Sequence, residues 1–303
     1  MTKSLKEIFI DILGEERVLS DEPMKNHTTF RIGGNADYFL IPDSIDSVKE
    51  IINICKESNM PYFILGNGSN LLVSDKGYRG VVIQLYKNVS SISIEENVIN
   101  AEAGALLSSI AAQARNASLT GFEFAGGIPG TIGGAVVMNA GAYGGEMKDV
   151  LVSATVLTDK GEIKEIPVEE LELGYRTSVV KTAGYIVLGA KIRLQKGDIE
   201  AIKARMKELT DMRTSKQPLE FPSAGSTFKR PEGYFAGKLI MDSGLRGYQV
   251  GGAQVAEKHC GFVINRGDAT AQDVVTLMND VISKVKEKYG VTLEPEVKFL
   301  GEF

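Results

Sequence analysis

Two glycine-rich segments are the strongest chemical signal in the chain. The first is Gly66-Asn67-Gly68-Ser69-Asn70, directly after the apolar run Tyr62–Leu65. Glycine there lets backbone N–H groups approach an anion. It fails the dinucleotide fingerprint, because Leu71 stands at the sixth position, and it lacks the Gly-Lys-Ser/Thr of a P-loop. The second runs from Phe122 through Gly126, Gly127, Ile128, Pro129, Gly130, Thr131, Ile132, Gly133 and Gly134 to Asn139, Gly141, Tyr143 and Gly144. It presents many N–H groups, little side-chain bulk and no Lys or Arg. A phosphate held there would rest on backbone dipoles, Thr131 and Asn139. A tightly packed turn explains either segment alone; two in one chain point to a large phosphorylated cofactor.

The rest of the composition narrows the class. A chain of 303 residues is about two domains' worth at roughly 150 residues each. With 43% hydrophobic and 24% charged residues it is an ordinary globular chain. A net charge of −5 offers no basic footprint for a phosphate backbone, so nucleic-acid binding is not expected. Cys55 and Cys260 lie far apart, no CxxC occurs, and His27 and His259 are not at metal-ligand spacing. Two reduced thiols in a cytoplasmic protein without a metal are the expectation. The first 17 residues carry charges throughout and do not form a signal peptide. From Phe124 to Gly145 no residue is charged, but the glycines and Pro129 make a poor membrane span.

The secondary structure around these segments follows from periodicity. Residues 4–13 read as a short amphipathic helix. Ala36–Ile41 reads as a strand and Ser44–Ser58 as a helix, with Val48, Ile51, Ile52 and Cys55 on one face. Tyr62–Leu65 and Val81–Leu85 read as strands, 89–102 as short strands, and Leu106–Ala117 as a helix. Val150–Leu157, Glu162–Ile166 and Ile186–Leu194 read as strands. A helix marked by Ile199, Ile202, Met206, Leu209 and Met212 follows, with Asp198 as N-cap. A second long helix covers 271–289, opened by Thr270 and Asp273 at capping-box spacing. The chain closes on a strand, Glu296–Leu300, and a domain boundary is expected near 196–212.

Taken together, NHTTFRIGG, LGNGSNLLVSDKGYRGVVI, GFEFAGGIPGTIGGAVVMNAGAYGGE, YRTS, SAGSTFKRP and LEPEVKF closely resemble the UDP-N-acetylenolpyruvoylglucosamine reductase family, in the family's order and over about residues 26 to 300. The resemblance implies an α+β protein: a two-subdomain FAD-binding fold of the vanillyl-alcohol-oxidase type and a C-terminal α+β substrate-binding domain. It divides the chain into 1–87, 88–196 and 197–303, the last strand carrying Glu296 back to the active site. It implies FAD on Gly66, Asn67, Gly68, Ser69 and Asn70 and on Gly127, Ile128, Pro129, Gly130, Thr131, Gly133, Gly134, Asn139, Gly141, Tyr143 and Gly144. The length fits the shorter form, which lacks a tyrosine-bearing loop near the substrate.

The implied activity is oxidoreductase chemistry of peptidoglycan precursor synthesis. NADPH gives a hydride to FAD, and the enolpyruvyl ether of UDP-N-acetylglucosamine enolpyruvate then receives hydride at C3 and a proton at C2, giving UDP-N-acetylmuramate. Negative charge grows on an enolate and must be stabilised before one proton is delivered. Three motif positions match the family's catalytic residues. Arg176, in Tyr175-Arg176-Thr177-Ser178, would grip the enolpyruvyl carboxylate, since a guanidinium can bind it with two parallel bonds. Ser226, in Ala224-Gly225-Ser226-Thr227, would be the proton donor. Glu296, in Leu293-Glu294-Pro295-Glu296, would act beside the substrate carboxylate and work protonated. The residues alone do not choose between Glu294 and Glu296; the family motif selects Glu296.

Lys229, Lys238, Tyr175 and Gln254 are further candidates for substrate contacts, and Asn26 and Arg31 for cofactor contacts. His259 reads as structural. A monomer without a membrane or nucleic-acid partner is expected. Two other readings remain: an alcohol oxidase of the same fold, or a nucleotide-binding protein without redox chemistry.

Overall fold

The helix read at 44–58 shows how the chain makes its elements. It spans Ile45–Glu57, and Val48, Ile51, Ile52 and Cys55 are all fully buried. Ser44 caps it, accepting from Ser47 N–H while Ser47 reaches back to Ser44 N–H. The same reciprocal cap joins Thr270 and Asp273 at the start of Ala271–Tyr289, which ends on Gly290 in the left-handed conformation at φ 69°. The structure, a computed structural model, describes residues 3–303. No helix among them is long and apolar enough to cross a membrane.

The described residues form two compact units. The first takes residues up to Leu19, Tyr38–Asn67 and Gly80–Arg213. Tyr62–Leu65 pairs in parallel with 81–84, so the strand–helix alternation of the sequence becomes a parallel pair. A five-stranded antiparallel sheet runs in the order Ile163–Pro167, Leu151–Leu157, Ile186–Arg193, Val98–Glu102, Ile92–Glu95. One apolar core serves both parts, from Phe9, Val48 and Ile83 to Ile99, Val136, Val156 and Ile192.

The second unit takes Ser20–Asp37, Gly68–Arg79 and Thr214–Phe303. Segments 20–37 and 68–79 therefore belong with the C-terminal residues rather than with the rest of 1–87. The reason is packing: Phe30, Ile32 and Leu72 share a core with Val263, Val274 and Leu277. An antiparallel sheet runs Ser223–Ser226, Phe262–Asn265, Ala253–Val255, Gln249–Val250. The terminal strand, Lys298–Leu300, pairs in parallel with Leu71–Val73.

Several expectations need correction. The last strand starts at Lys298, not Glu296. The helix Ile199–Lys216 is capped by Asp198, whose Oδ1 accepts from Ala201 N–H at 2.8 Å, but only Ile202 and Leu209 are buried along it. The glycine-rich segment holds a helix, Ile132–Val137, that no periodicity announced. Packing creates it. Gly133 N–H donates to Ala103 O at 2.9 Å, and a Cβ on Gly133 would lie 2.9 Å from that of Ala103. Only glycine lets the helix sit this close to the strand end.

Candidate cofactor and active site

In the first unit the two glycine segments meet. A Cβ on Gly66 would stand 2.5 Å from Thr131 Oγ1, and Asn67 Nδ2 donates to Pro129 O at 2.7 Å. Thr131 is buried and its hydroxyl faces Gly66. Other glycines face open space, although Gly144, at φ 90°, also has a backbone conformation that favours glycine. Among the described residues, a Cβ on Gly144 would meet no atom within 4 Å, and one on Gly134 would meet only Thr131 Oγ1 at 3.9 Å. Backbone is thus left open at Gly134 and Gly144, as a large cofactor lying against it needs.

One cation stands beside this backbone that the sequence did not place there. Arg213, near the end of the Ile199–Lys216 helix, lays Cδ 3.2 Å and Nε 3.9 Å from the Cβ position of Gly127. Burial pushes its guanidinium below the ordinary range, and the Tyr143 hydroxyl opposes that shift. No carboxylate pairs with Arg213 among the described residues. A half-buried cation without an acidic partner favours an anion beside Gly127. Separation along the chain hid it: eighty-odd positions lie between the two, and only the fold closes that distance.

Asn139 takes a different part. It is 1% exposed, and both ends of its amide are used internally. Nδ2 donates to Glu146 Oε2 at 2.6 Å and to Gly174 O at 3.3 Å, while Oδ1 accepts from Lys148 N–H at 2.9 Å. Arg176 lies two residues beyond Gly174, on a turn closed by mutual backbone bonds between Gly174 and Thr177. Its φ is 59°, a left-handed conformation uncommon for a bulky side chain. Its guanidinium carbon stands 5.0 Å from the Tyr175 ring centroid, and Tyr175 is 54% exposed.

In the second unit, Ser226 and Glu296 lie on neighbouring backbone. Glu296 N–H donates to Thr227 O at 2.8 Å, Phe228 pairs with Pro295, and Lys229 N–H donates to Glu294 O at 2.8 Å. This ladder also separates the two glutamates. Glu294 is exposed and bonded to Lys229 Nζ at 2.8 Å, which lowers its pKa. Glu296 is half-buried, and its carbonyl accepts from Asn70 Nδ2 at 3.3 Å. Ser226 itself is exposed. Gly68, with φ 62°, holds the other end of this loop: a Cβ there would lie 2.2 Å from His27 O.

The remaining candidates have local partners. Lys238 forms an i,i+4 pair with Asp242 at 2.7 Å. Gln254 Nε2 donates to Gly247 O at 3.1 Å. Lys229, as above, is paired with Glu294.

His259 has the structural place expected of it. Its Nδ1 accepts from Gly261 N–H at 3.1 Å and its ring meets Phe262 edge-on at 5.0 Å between centroids. Burial lowers its pKa from 6.5, so the folded state favours the neutral ring. The unfolded chain therefore binds the proton first, and the His259 contribution is complete above about pH 6.5 and lost as pH falls through the folded value. Denaturant unfolding from about pH 7.5 down to 5.5 should show a decline that is smaller in His259→Gln.

Comparison with known proteins shows the family. The model described as "FAD binding domain" matches residues 36–167. The model "UDP-N-acetylenolpyruvoylglucosamine reductase, C-terminal domain" matches residues 217–300. A curated reductase of that name from Agathobacter rectalis is 58% identical, covering 94% of this chain and 95% of its own. The chain belongs to the UDP-N-acetylenolpyruvoylglucosamine reductase family. A relative of the same name from Alkaliphilus oremlandii is 56% identical over 96% of both chains. The crystal structure of the reductase from Thermus caldophilus superposes with a TM-score of 0.80 at 36% identity, covering 94% of this chain and 98% of that one. The fold is thus the α+β fold of the reductase family, with an FAD-binding part and its C-terminal domain.

Proposed function

We propose that the protein reduces the enolpyruvyl ether of UDP-N-acetylglucosamine enolpyruvate to UDP-N-acetylmuramate, with NADPH as hydride donor and FAD as its cofactor. The observation that carries this reading is the 227–229/294–296 ladder. In a chain of this reductase family it bonds Glu296 to Thr227, one residue from Ser226, and leaves Glu294 paired with Lys229. FAD, when bound, supplies the hydride relay. The glycine segments at 66–70, 126–134 and 141–144 would hold it, Arg213 contributing charge beside Gly127. Residues 1–87, apart from 20–37 and 68–79, and residues 88–196 would form its two subdomains, and 197–303, from about Thr214 onward, the substrate-binding part.

This chain's own residues then have distinct tasks. Arg176 binds the substrate carboxylate and stabilises the enolate formed when C3 gains hydride. Ser226 Oγ gives its proton to C2. A serine hydroxyl is a poor acid in water, but the acid formed at C2 is weaker still, so the transfer runs downhill. Glu296 supports the same carboxylate end. Tyr175 and Gln254 would contact the sugar nucleotide. Lys229, while still paired with Glu294, and Lys238, on leaving Asp242, would meet its diphosphate, which costs little for exposed ion pairs. We place the enzyme in the cytoplasm, as a monomer, where the nucleotide substrates are.

The test is an anaerobic absorbance experiment on the purified holoprotein. NADPH should bleach the flavin spectrum, and UDP-N-acetylglucosamine enolpyruvate should restore it. Bleaching by an alcohol, or recovery only with another acceptor, would overturn the assignment.

A further inference from the structure

Arg176 holds a conformation that costs about 1–2 kcal/mol for an L-residue, and such residues persist only where their surroundings fix them. The surroundings here are specific. The turn is closed on itself by Gly174 N–H to Thr177 O at 3.2 Å and Thr177 N–H to Gly174 O at 3.4 Å. Both flanks are then tied to the end of the Ile132–Val137 helix. Ser178 Oγ donates to Val137 O at 2.8 Å, and Asn139 Nδ2 donates to Gly174 O at 3.3 Å.

Asn139 suits this task for a conformational reason too. Its φ is 41°, and asparagine is among the few non-glycine residues that tolerate this region. Glu146 fixes the amide's rotamer from the other side, and Lys148 N–H occupies Oδ1. Ser178 is likewise buried. Each polar atom of Asn139 is thus directed at protein.

We propose that Asn139, with Ser178 as a second anchor, is a positioning residue for Arg176. Its side chain holds the Gly174–Thr177 turn in the conformation that presents the guanidinium, rather than holding the cofactor. The inference rests on the reading of Arg176 as the group that binds the enolpyruvyl carboxylate.

Asn139→Asp is the informative variant. It keeps the tolerated backbone conformation and the acceptor for Lys148 N–H, but it loses the donor to Glu146 and to Gly174 O. Adding Glu146→Gln returns a donor to the 139–146 pair and none to Gly174 O. Stopped-flow absorbance on the holoenzyme reads the two half-reactions separately, and titration of the apoprotein reads the FAD dissociation constant.

In N139D/E146Q, FAD affinity and reduction by NADPH should match the parent. Reoxidation by the enolpyruvyl substrate should be slower by about ten- to a hundred-fold, the loss expected when a reacting partner is misplaced. Ser178→Ala should move the same half-reaction in the same direction.

Several results would overturn the proposal. One is full recovery of reoxidation in the double variant, which would confine Asn139 to its own turn. Another is weakened FAD binding in the double variant, or equal loss in both half-reactions. Wild-type behaviour throughout would also overturn it. Arg176→Lys run alongside separates the two failures. If it slows reoxidation and the Asn139 variants do not, only the positioning role falls. If it slows neither half-reaction, the reading of Arg176 falls.

Discussion

Ser226→Ala should leave the reduction of bound flavin by NADPH at the wild-type rate and slow its reoxidation by enolpyruvyl substrate by about 10²–10⁴-fold, the usual worth of a positioned proton donor. The asymmetry between half-reactions is the point of the experiment. Ser226 ends the short strand Ser223–Ser226, which pairs with Phe262–Asn265, and it is exposed. Alanine there removes one hydroxyl without emptying any core. Thr227, the next residue, carries the structural work: it is buried, and its Oγ1 accepts from Val263 N–H at 2.8 Å. Thr227→Ala would therefore blur folding and catalysis, whereas Ser226→Ala isolates the proton. Stopped-flow traces at 450 nm (roughly the flavin maximum), one with NADPH and one with enolpyruvyl substrate, measure the two rates. Equal rates in mutant and parent would remove Ser226 from the reaction.

What the sequence made legible was periodic or motif-bound. The long helices could be read because Val48, Ile51, Ile52 and Cys55, and likewise Val274, Leu277, Met278 and Val281, repeat with the helix and do go inside. Phe262–Asn265 carries no strand signal of its own, because all four of its residues are buried and such a run shows no alternation. The Ile132–Val137 helix escaped because its glycines argue against a helix locally; contact with Ala103 overrides them. At the site, spacing left Glu294 and Glu296 equivalent. They become distinct through Lys229, sixty-five positions from Glu294 in the chain. Arg213 and Glu146 were invisible for the same reason: their importance lies in what the fold sets beside them, Gly127 for one and Asn139 for the other.

Arg176→Lys should lower the rate of enolpyruvyl reduction by about 10²–10³-fold, the cost of removing a donor to a developing oxyanion. Reduction of the flavin by NADPH should be unaffected. Lysine keeps a positive charge but offers one compact ammonium where arginine offers a planar fork, so the two-bond grip on a carboxylate is lost. The backbone supplies a second readout. Arg176 sits at φ 59°, where glycine has no steric penalty and alanine does. Arg176→Gly and Arg176→Ala lose the same side-chain contacts, so their difference reports the left-handed strain less the extra unfolded-state freedom of glycine. Arg176→Gly should be the more stable of the two by about 1 kcal/mol, measured by denaturant unfolding, while both are inactive in the second half-reaction. A position that glycine would stabilise, yet where the chain carries arginine, is one where conformational stability is given up for the guanidinium. If Arg176→Gly proved no more stable than Arg176→Ala, the strain would be no larger than the unfolded-state cost of glycine. The clamp from Asn139 and Ser178 would then have little to hold against.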